Sequence, residues 1–294
     1  MSTFRITHHT SYRHSAPVAV AWQTVRLQPR REAGQELLAF ELAPTPRPAE
    51  ILAREDYFGN VVHAFSVAES HAELSIETRA VVRRTDAATP SDNTPAVSAI
   101  PPLVAAAIAG GNFTLEEYRR PGTLVPFLPE ARALADGIQT STALGWIAAL
   151  GQRFREQFTF DTSASVVTTL LREVLVQRRG VCQDFAHAFI SCARQHGVPA
   201  AYVSGYLLTD PPPGQPRLRG ADAMHAWVSL FVPGAGWVDY DPTNTVFAGT
   251  GHIAVARGRD YADVSPIRGV FSGGGRHTLF LGITVEPADE LGAG

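Results

Sequence analysis

The sequence predicts an α+β protein: an antiparallel β domain first, then a core in which one buried helix packs on a second antiparallel sheet. Three observations carry this. Residues 3 to 83 are short segments that alternate β-branched with polar residues and are broken by prolines. Residues 180 to 197 place apolar side chains at helical spacing between two glycines. Two alternating segments, 225 to 231 and 237 to 241, then follow, joined through Pro233-Gly234-Ala235-Gly236.

In the first region Phe4 to His8, Thr24 to Gln28, Val61 to Phe65 and Leu74 to Glu77 read as strands, with Tyr57-Phe58-Gly59-Asn60 as a hairpin turn. Its histidines, His8, His9, His14, His63 and His71, lack the tight spacing with acids or cysteines that a metal site needs, and no metal or cofactor is expected. The expected division is a β domain over 1–85, an Ala/Thr/Pro/Ser linker over 86–102, a core over 103–285 and a tail over 286–294. The β domain is expected to lie beside the core and shape substrate access without supplying a catalytic group.

Helices are expected over Leu103 to Ala109, Pro129 to Asp136, from a Ser141 or Thr142 cap through Phe154, and over Leu170 to Gln177. Ala200 to Leu207 reads as a strand, and the run Asp210-Pro211-Pro212-Pro213-Gly214 as a loop.

The helix at 180 to 197 begins at a glycine, and Gly197 with Pro199 ends it. Cys182 stands in its first turn, where the positive helix end favours a thiolate, and Arg178 and Arg179 push the same way. Cys192 lies ten residues on, about 15 Å away, whereas a disulfide needs less than about 7 Å, so it reads as packing. Asp184 reads as a partner of the helix end.

A thiol nucleophile needs a base and a group that orients the base. His225 opens one strand and Asp239 and Asp241 sit near the end of the next, so either acid can serve if the strands pair with an odd connection, such as Phe231 opposite Trp237. A four-residue loop would put His225 and Asp241 on opposite faces.

The blocks Gly180-Val181-Cys182-Gln183-Asp184-Phe185-Ala186-His187, Asp222-Ala223-Met224-His225-Ala226-Trp227 and Gly236-Trp237-Val238-Asp239-Tyr240-Asp241-Pro242-Thr243-Asn244 resemble the transglutaminase-like superfamily, in its bacterial branch with an N-terminal β domain. Arg26-Leu27-Gln28-Pro29, Asp56 to Asn60 and His252 to Tyr261 resemble the same branch. The resemblance implies a papain-like core with Cys182 as nucleophile, His225 as base and Asp241, in preference to Asp239, as the orienting acid. Relatives carry an aromatic donor for the oxyanion upstream of the Cys helix. Here Phe160 stands in that place, which leaves the Cys182 N–H with Gln183 or Trp146 as weak candidates.

The implied activity is thiol-dependent acyl transfer on peptide or carboxamide bonds by a cysteine peptidase or amidase. The alternatives are a protein-glutamine transglutaminase and a catalytically silent peptide-binding module. No carboxylate cluster resembles a calcium loop. A peptide or protein substrate is expected.

At 294 residues the chain can bury a sizeable core. A net charge of -3 without a basic stripe argues against nucleic acid as a partner. The N-terminus lacks a signal-like apolar run, Leu103 to Ala109 is too short to span a bilayer, and two unpaired thiols suit a reducing compartment. A cytoplasmic protein without a membrane partner is the expectation.

Overall fold

A computed structural model describes residues 1–85, 92–209, 220 and 222–288. The first sheet begins with β1 (Ser2–Val25), β2 (Gln35–Thr45), β3 (Ile51–Glu55), β4 (Val61–Val67) and β5 (His71–Arg84), in the order β2-β5-β1-β4-β3. The segments 4 to 8 and 24 to 28, read as two strands, fall on one long strand that ends at Val25, so residues 26–28 lie beyond it. Its pairing with β5 shifts between Arg13 and Val18, around Pro17, which has no N–H to give a ladder. The first half therefore pairs with β5 and the second half with β4. Strands β2 and β3 escaped the sequence reading; β2 buries only every second residue at its start, around Leu37, and β3 buries none. The turn at 57 to 60 is as expected: Gly59 has φ +72°, and the Asp56 carboxylate accepts the N–H groups of Phe58 and Asn60, each at 3.0 Å.

The core holds α1 (Ile100–Ala109), α2 (Thr114–Arg119), α3 (Pro129–Ala135), α4 (Ala143–Gln157), α5 (Leu171–Gln177), α6 (Cys182–Gln195) and α7 (Tyr261–Val264). Helix α1 starts earlier than expected because Pro101 and Pro102 fit a first turn, whose N–H groups need no helical partner. Thr142 caps α4 by accepting Gly145 N–H at 3.1 Å. Residues 86–91 of the expected linker, the loop at 210–214 and residues 289–294 of the tail lie outside the described residues.

Two short strands, β6 (Thr159–Phe160) and β7 (Arg179–Gly180), pair in parallel just before α6. The second sheet comprises β8 (Ala200–Leu207), β9 (Met224–Val232), β10 (Gly236–Asp241), β11 (Val246–Phe247) and β12 (His252–Gly258), in the order β11-β10-β9-β8-β12. Helix α6 lies between α3 and α5 on one side and β8 and β9 on the other. It is buried on every side from Asp184 to Arg194, not along one stripe. Its polar groups are met accordingly: Ser191 Oγ donates to Pro126 O at 2.7 Å, and Arg194 donates to Ala200 O, Arg120 O and Arg259 O.

The last two strands, β13 (Ile267–Gly273) and β14 (His277–Pro287), both pair with β1. The sequence reading kept these residues with the core, but their ladder is with the first sheet. One apolar cluster joins the layers: Phe4, Ile6 and Val82 pack with Tyr206, Ile253 and Val255 of the second sheet. The second sheet thus carries α6 on one face and the first sheet on the other.

Candidate active site

Helix α5 ends with Arg178 in the left-handed region at φ +55°, and β7 then leads into α6. Gly180 is required here, since a Cβ would lie 2.5 Å from Asp184 Oδ2. That carboxylate accepts Val181 N–H at 2.8 Å and the Ser165 hydroxyl, so Asp184 secures the helix start as expected. Cys182 is the first residue of α6 and is half-buried. Arg178 and Arg179 turn elsewhere: Arg178 stacks on Phe158 at 5.0 Å, and Arg179 pairs with Asp161 at 3.7 Å.

Strands β9 and β10 deliver the other two groups. Phe231 pairs with Trp237 and Val232 with Gly236, leaving the three-residue connection 233 to 235. His225 and Asp241 therefore share one face of the sheet. His225 Nε2 donates to Asp241 Oδ2 at 2.7 Å. With Nε2 engaged, Nδ1 is the free ring nitrogen, and Cys182 lines the same pocket as His225. The structure brings Cys182, His225 and Asp241 together.

Asp239, the rival acid, is spoken for. It accepts Trp227 Nε1 at 3.0 Å and Ser229 Oγ at 2.5 Å, and Arg257 grips it with two bonds of 2.9 Å each. Arg257 also binds Glu32, at 3.1 and 2.9 Å, tying the second sheet to the N-terminal region.

Asp241 is fully buried and holds five hydrogen bonds. Oδ1 accepts the N–H groups of Thr243 and Asn244, at 2.9 and 3.2 Å. Oδ2 accepts His225, Asn244 Nδ2 at 2.7 Å and His252 Nε2 at 3.1 Å. Burial alone would raise its pKa, but the donors, His225 first and then His252, hold the carboxyl well below the ordinary range. Burial would likewise lower His225, yet Asp241 and Cys182 push it up to about 10. An imidazolium favours the thiolate form of a neighbouring sulfur, and the thiolate is the nucleophile.

His252 was not singled out from the sequence. Its Nδ1 accepts Gly249 N–H at 3.2 Å, so the proton sits on Nε2 and points at Asp241. His225, Asp241 and His252 lie close enough together to suggest a metal ligand set. The donor set does not fit one: Nε2 of His252 has no free lone pair in this tautomer, and Oδ2 already takes three donors.

The thiol opens into a pocket of about 310 Å³ lined by Gln183, Tyr202, Ser204 and His225, with Tyr12 and Leu281 from the first sheet. Of the expected oxyanion donors, Gln183 lines it, while its Nε2 donates to Val167 O at 3.4 Å. Trp146 does not: it is buried in the core against His196. Phe160 is exposed beside Phe185. Tyr202, overlooked in the sequence, lines the pocket, and its hydroxyl has no hydrogen-bond partner among the described residues. Burial, then the neighbouring Cys182, keeps that hydroxyl protonated. A larger groove of about 940 Å³, beside Trp22, Leu52 and Val270 on the first sheet, has no cysteine or histidine among its described lining residues, so volume does not locate the chemistry here. Among the described residues, no residue of 1–85 hydrogen-bonds to Cys182, His225 or Asp241.

Residues 4–83 match the bacterial transglutaminase-like N-terminal region, and residues 132–242 match the transglutaminase-like superfamily. An uncharacterized protein of Mycobacterium tuberculosis is 37% identical over 91% of this chain and 87% of its own. One from Mycobacterium leprae is 31% identical over 95% and 96%. A protein-glutamine gamma-glutamyltransferase of Pseudomonas aeruginosa is 36% identical over 127 residues, covering 40% of this chain and 19% of that protein. The crystal structure of a "putative cysteine protease" from Cytophaga hutchinsonii superposes with a TM-score of 0.75 over 98% of this chain and 91% of that one, and at 18% identity it speaks for the fold alone. The chain belongs to the transglutaminase-like superfamily, in its branch with a bacterial N-terminal β region.

Proposed function

We propose that this protein is a thiol-dependent acyl-transfer enzyme acting on peptide or carboxamide bonds, as a cysteine peptidase or amidase. The observation that carries the reading is His225, bonded to Asp241 at 2.7 Å and lining one pocket with Cys182. Cys182 Sγ attacks the carbonyl carbon while its proton resides on His225 Nδ1. The carbonyl π electrons move to oxygen, where the Cys182 N–H and the Tyr202 hydroxyl are the donors. Collapse breaks the C–N bond, and His225 returns the proton to the departing amine. Water, deprotonated by His225, then attacks the thioester, releasing the acid and the free thiol. Asp241 keeps the imidazole oriented and stabilises its charged form.

A second reading is transfer to an amine, as in a transglutaminase. It is favoured by the likeness of 40% of the chain to the Pseudomonas gamma-glutamyltransferase. An amine in place of water resolves the same thioester, and the fold does not choose between them. A silent peptide-binding module is disfavoured by the intact Cys, His and Asp set.

A glutamine-containing peptide, with and without excess of a small primary amine, tests both readings. Cleavage that is lost in Cys182→Ala supports the peptidase; amine incorporation lost in the same variant moves the assignment to the transferase; neither reaction refutes both. All 25 basic residues are Arg, so the protein offers no lysine to itself, and a clean denaturing gel is uninformative. We place the reaction in the cytoplasm, on a peptide or protein substrate and without a membrane or nucleic-acid partner. The two free cysteines and the net charge of -3 support that placement.

A further inference from the structure

The Cys182 pocket has one wall from the first sheet, and that wall ends in an edge. Strand β14 pairs with β1 in a register that sets Leu279 against Tyr12, Leu281 against Thr10 and Ile283 against His8. Two hydrogen bonds fix which way its backbone faces. Asp222 N–H donates to Ile283 O at 3.0 Å, and Val285 N–H donates to the Asp222 carboxylate at 2.8 Å. These odd-numbered residues turn their N–H and C=O groups away from β1. By the two-residue period of a strand, Leu279 and Leu281 do the same. Among the described residues nothing meets those four groups.

The side chains of the same two leucines line the Cys182 pocket, although they are 54% and 46% exposed. Bare apolar edges invite strand pairing, and proteins usually blunt them with lysine, proline or a bulge. The run Leu279-Phe280-Leu281-Gly282-Ile283 has no lysine or proline, and its register with β1 is unbroken. Among the described residues no Asp, Glu or Arg lines the pocket. His8, which does, is buried and bonded to the hydroxyls of Tyr206 and Thr10, at 3.1 and 2.9 Å. The charged group among the described lining residues is His225, which is engaged by Asp241 at 2.7 Å, so they offer no unengaged counter-charge for an ionised substrate side chain.

We propose that the substrate is an extended peptide that adds to the edge of β14, open at Leu279 and Leu281 among the described residues, as a further strand, and seats an uncharged apolar side chain against Leu279, Leu281 and Ile267 as its carbonyl reaches Cys182. The inference rests on Cys182 as the nucleophile. Backbone pairing supplies affinity independent of sequence, and the apolar wall supplies selectivity at alternate positions. The occupant is assigned as substrate because the edge and the thiol pocket share the same two leucines.

Peptidyl acyloxymethyl ketones separate this proposal from the reading beneath it. Labelling of Cys182 is followed by intact mass, with iodoacetamide as the probe of the thiol alone. A peptide with Leu before the electrophile is expected to react about tenfold or more faster than the same peptide with Asp or Lys there. N-methylation of its upstream backbone amides is expected to slow it about tenfold. Leu281→Asp should erase the preference for Leu and leave the iodoacetamide rate within about twofold. Leu279→Pro removes one outward N–H without touching the β1 ladder, and should slow the peptide but not iodoacetamide. Equal rates for Leu, Asp and Lys peptides, or indifference to N-methylation, would overturn the proposal. So would a dimer in sedimentation that Leu281→Asp splits, with no peptide preference. Failure of iodoacetamide to label Cys182 would instead refute the nucleophile reading.

Discussion

His252 donates to Asp241 Oδ2 at 3.1 Å, the same oxygen that receives His225 at 2.7 Å. Two imidazoles from different strands thus converge on one buried oxygen, and of the two only His225 lines the pocket that holds the thiol. His252 does not line the Cys182 pocket, so its effect on the reaction runs through the orientation of Asp241. A lost hydrogen bond to a charged group costs about 1.5–3 kcal/mol, or about tenfold or more in rate. His252→Phe is expected to lower kcat by at least that factor with KM unchanged, and His252→Gln, which keeps a donor and an acceptor, to recover much of it. Steady-state kinetics with the cleavable peptide checks this; an unchanged kcat in His252→Phe removes any positioning role.

Tyr202 presents a neutral hydroxyl to the same pocket as Cys182. Tyr202→Phe is expected to reduce kcat by about a hundredfold, the usual scale for one oxyanion donor, with little change in KM. A variant of full activity would return the donor role to Gln183 and the backbone.

Cys192 donates its S–H to Ala131 O at 3.0 Å, and full burial pushes its pKa far up. The nearest cationic influence on it is Arg178, the residue that the sequence suggested for Cys182. In the folded protein at neutral pH, iodoacetamide is expected to alkylate Cys182 about a hundredfold faster than Cys192. Peptide mapping after timed labelling gives the ratio, and similar rates would contradict an activated Cys182.

Much of the site was legible in the chain because it is local. The glycine before Cys182 and the parity of the 233 to 235 connection are short-range facts, and both hold. His252 was less legible, since it opens β12 and reaches Asp241 across the short strand β11 and its flanking turns, where no periodic signal runs. Tyr202 lies in β8, buried on both faces as far as Tyr206, so no alternation marks which side chains meet the thiol. The return of β13 and β14 to β1 joins residues more than 240 positions apart, and nothing within either segment records its partner.

Arg257 is fully engaged by Glu32 and Asp239, and burial alone would lower its pKa, but Asp239 and Glu32 together push it up. Removing the cation leaves two largely buried carboxylates without their partner. Arg257→Met is expected to destabilise the protein by about 3–5 kcal/mol in denaturant unfolding. Adding Glu32→Gln should recover part of the loss, and strictly additive losses would argue against coupling.

Stability should peak near neutral pH, and histidines set both limbs. His8 is lowered to about 4 by burial, then by His9, and His187 to about 3 by burial, then by Arg194. Their folded values lie below the ordinary 6.5, so the stability they contribute is present above 6.5 and is lost as pH falls toward 4 and 3. His225 runs the other way. Raised to about 10, its contribution is present below 6.5 and is lost as pH rises through 10. Each histidine changes the unfolding free energy by at most about 1.4 kcal/mol per pH unit across its window. Urea unfolding at pH 5, 6.5 and 9 is expected to give the highest midpoint at 6.5. His187→Gln, whose side-chain oxygen still accepts the Tyr261 N–H that His187 accepts at 3.1 Å, should flatten the acid limb. His225→Gln should flatten the limb between 6.5 and 9. An alkaline limb that persists in His225→Gln would mean that another group carries it, and the charged pairing of His225 with Cys182 and Asp241 would then fail.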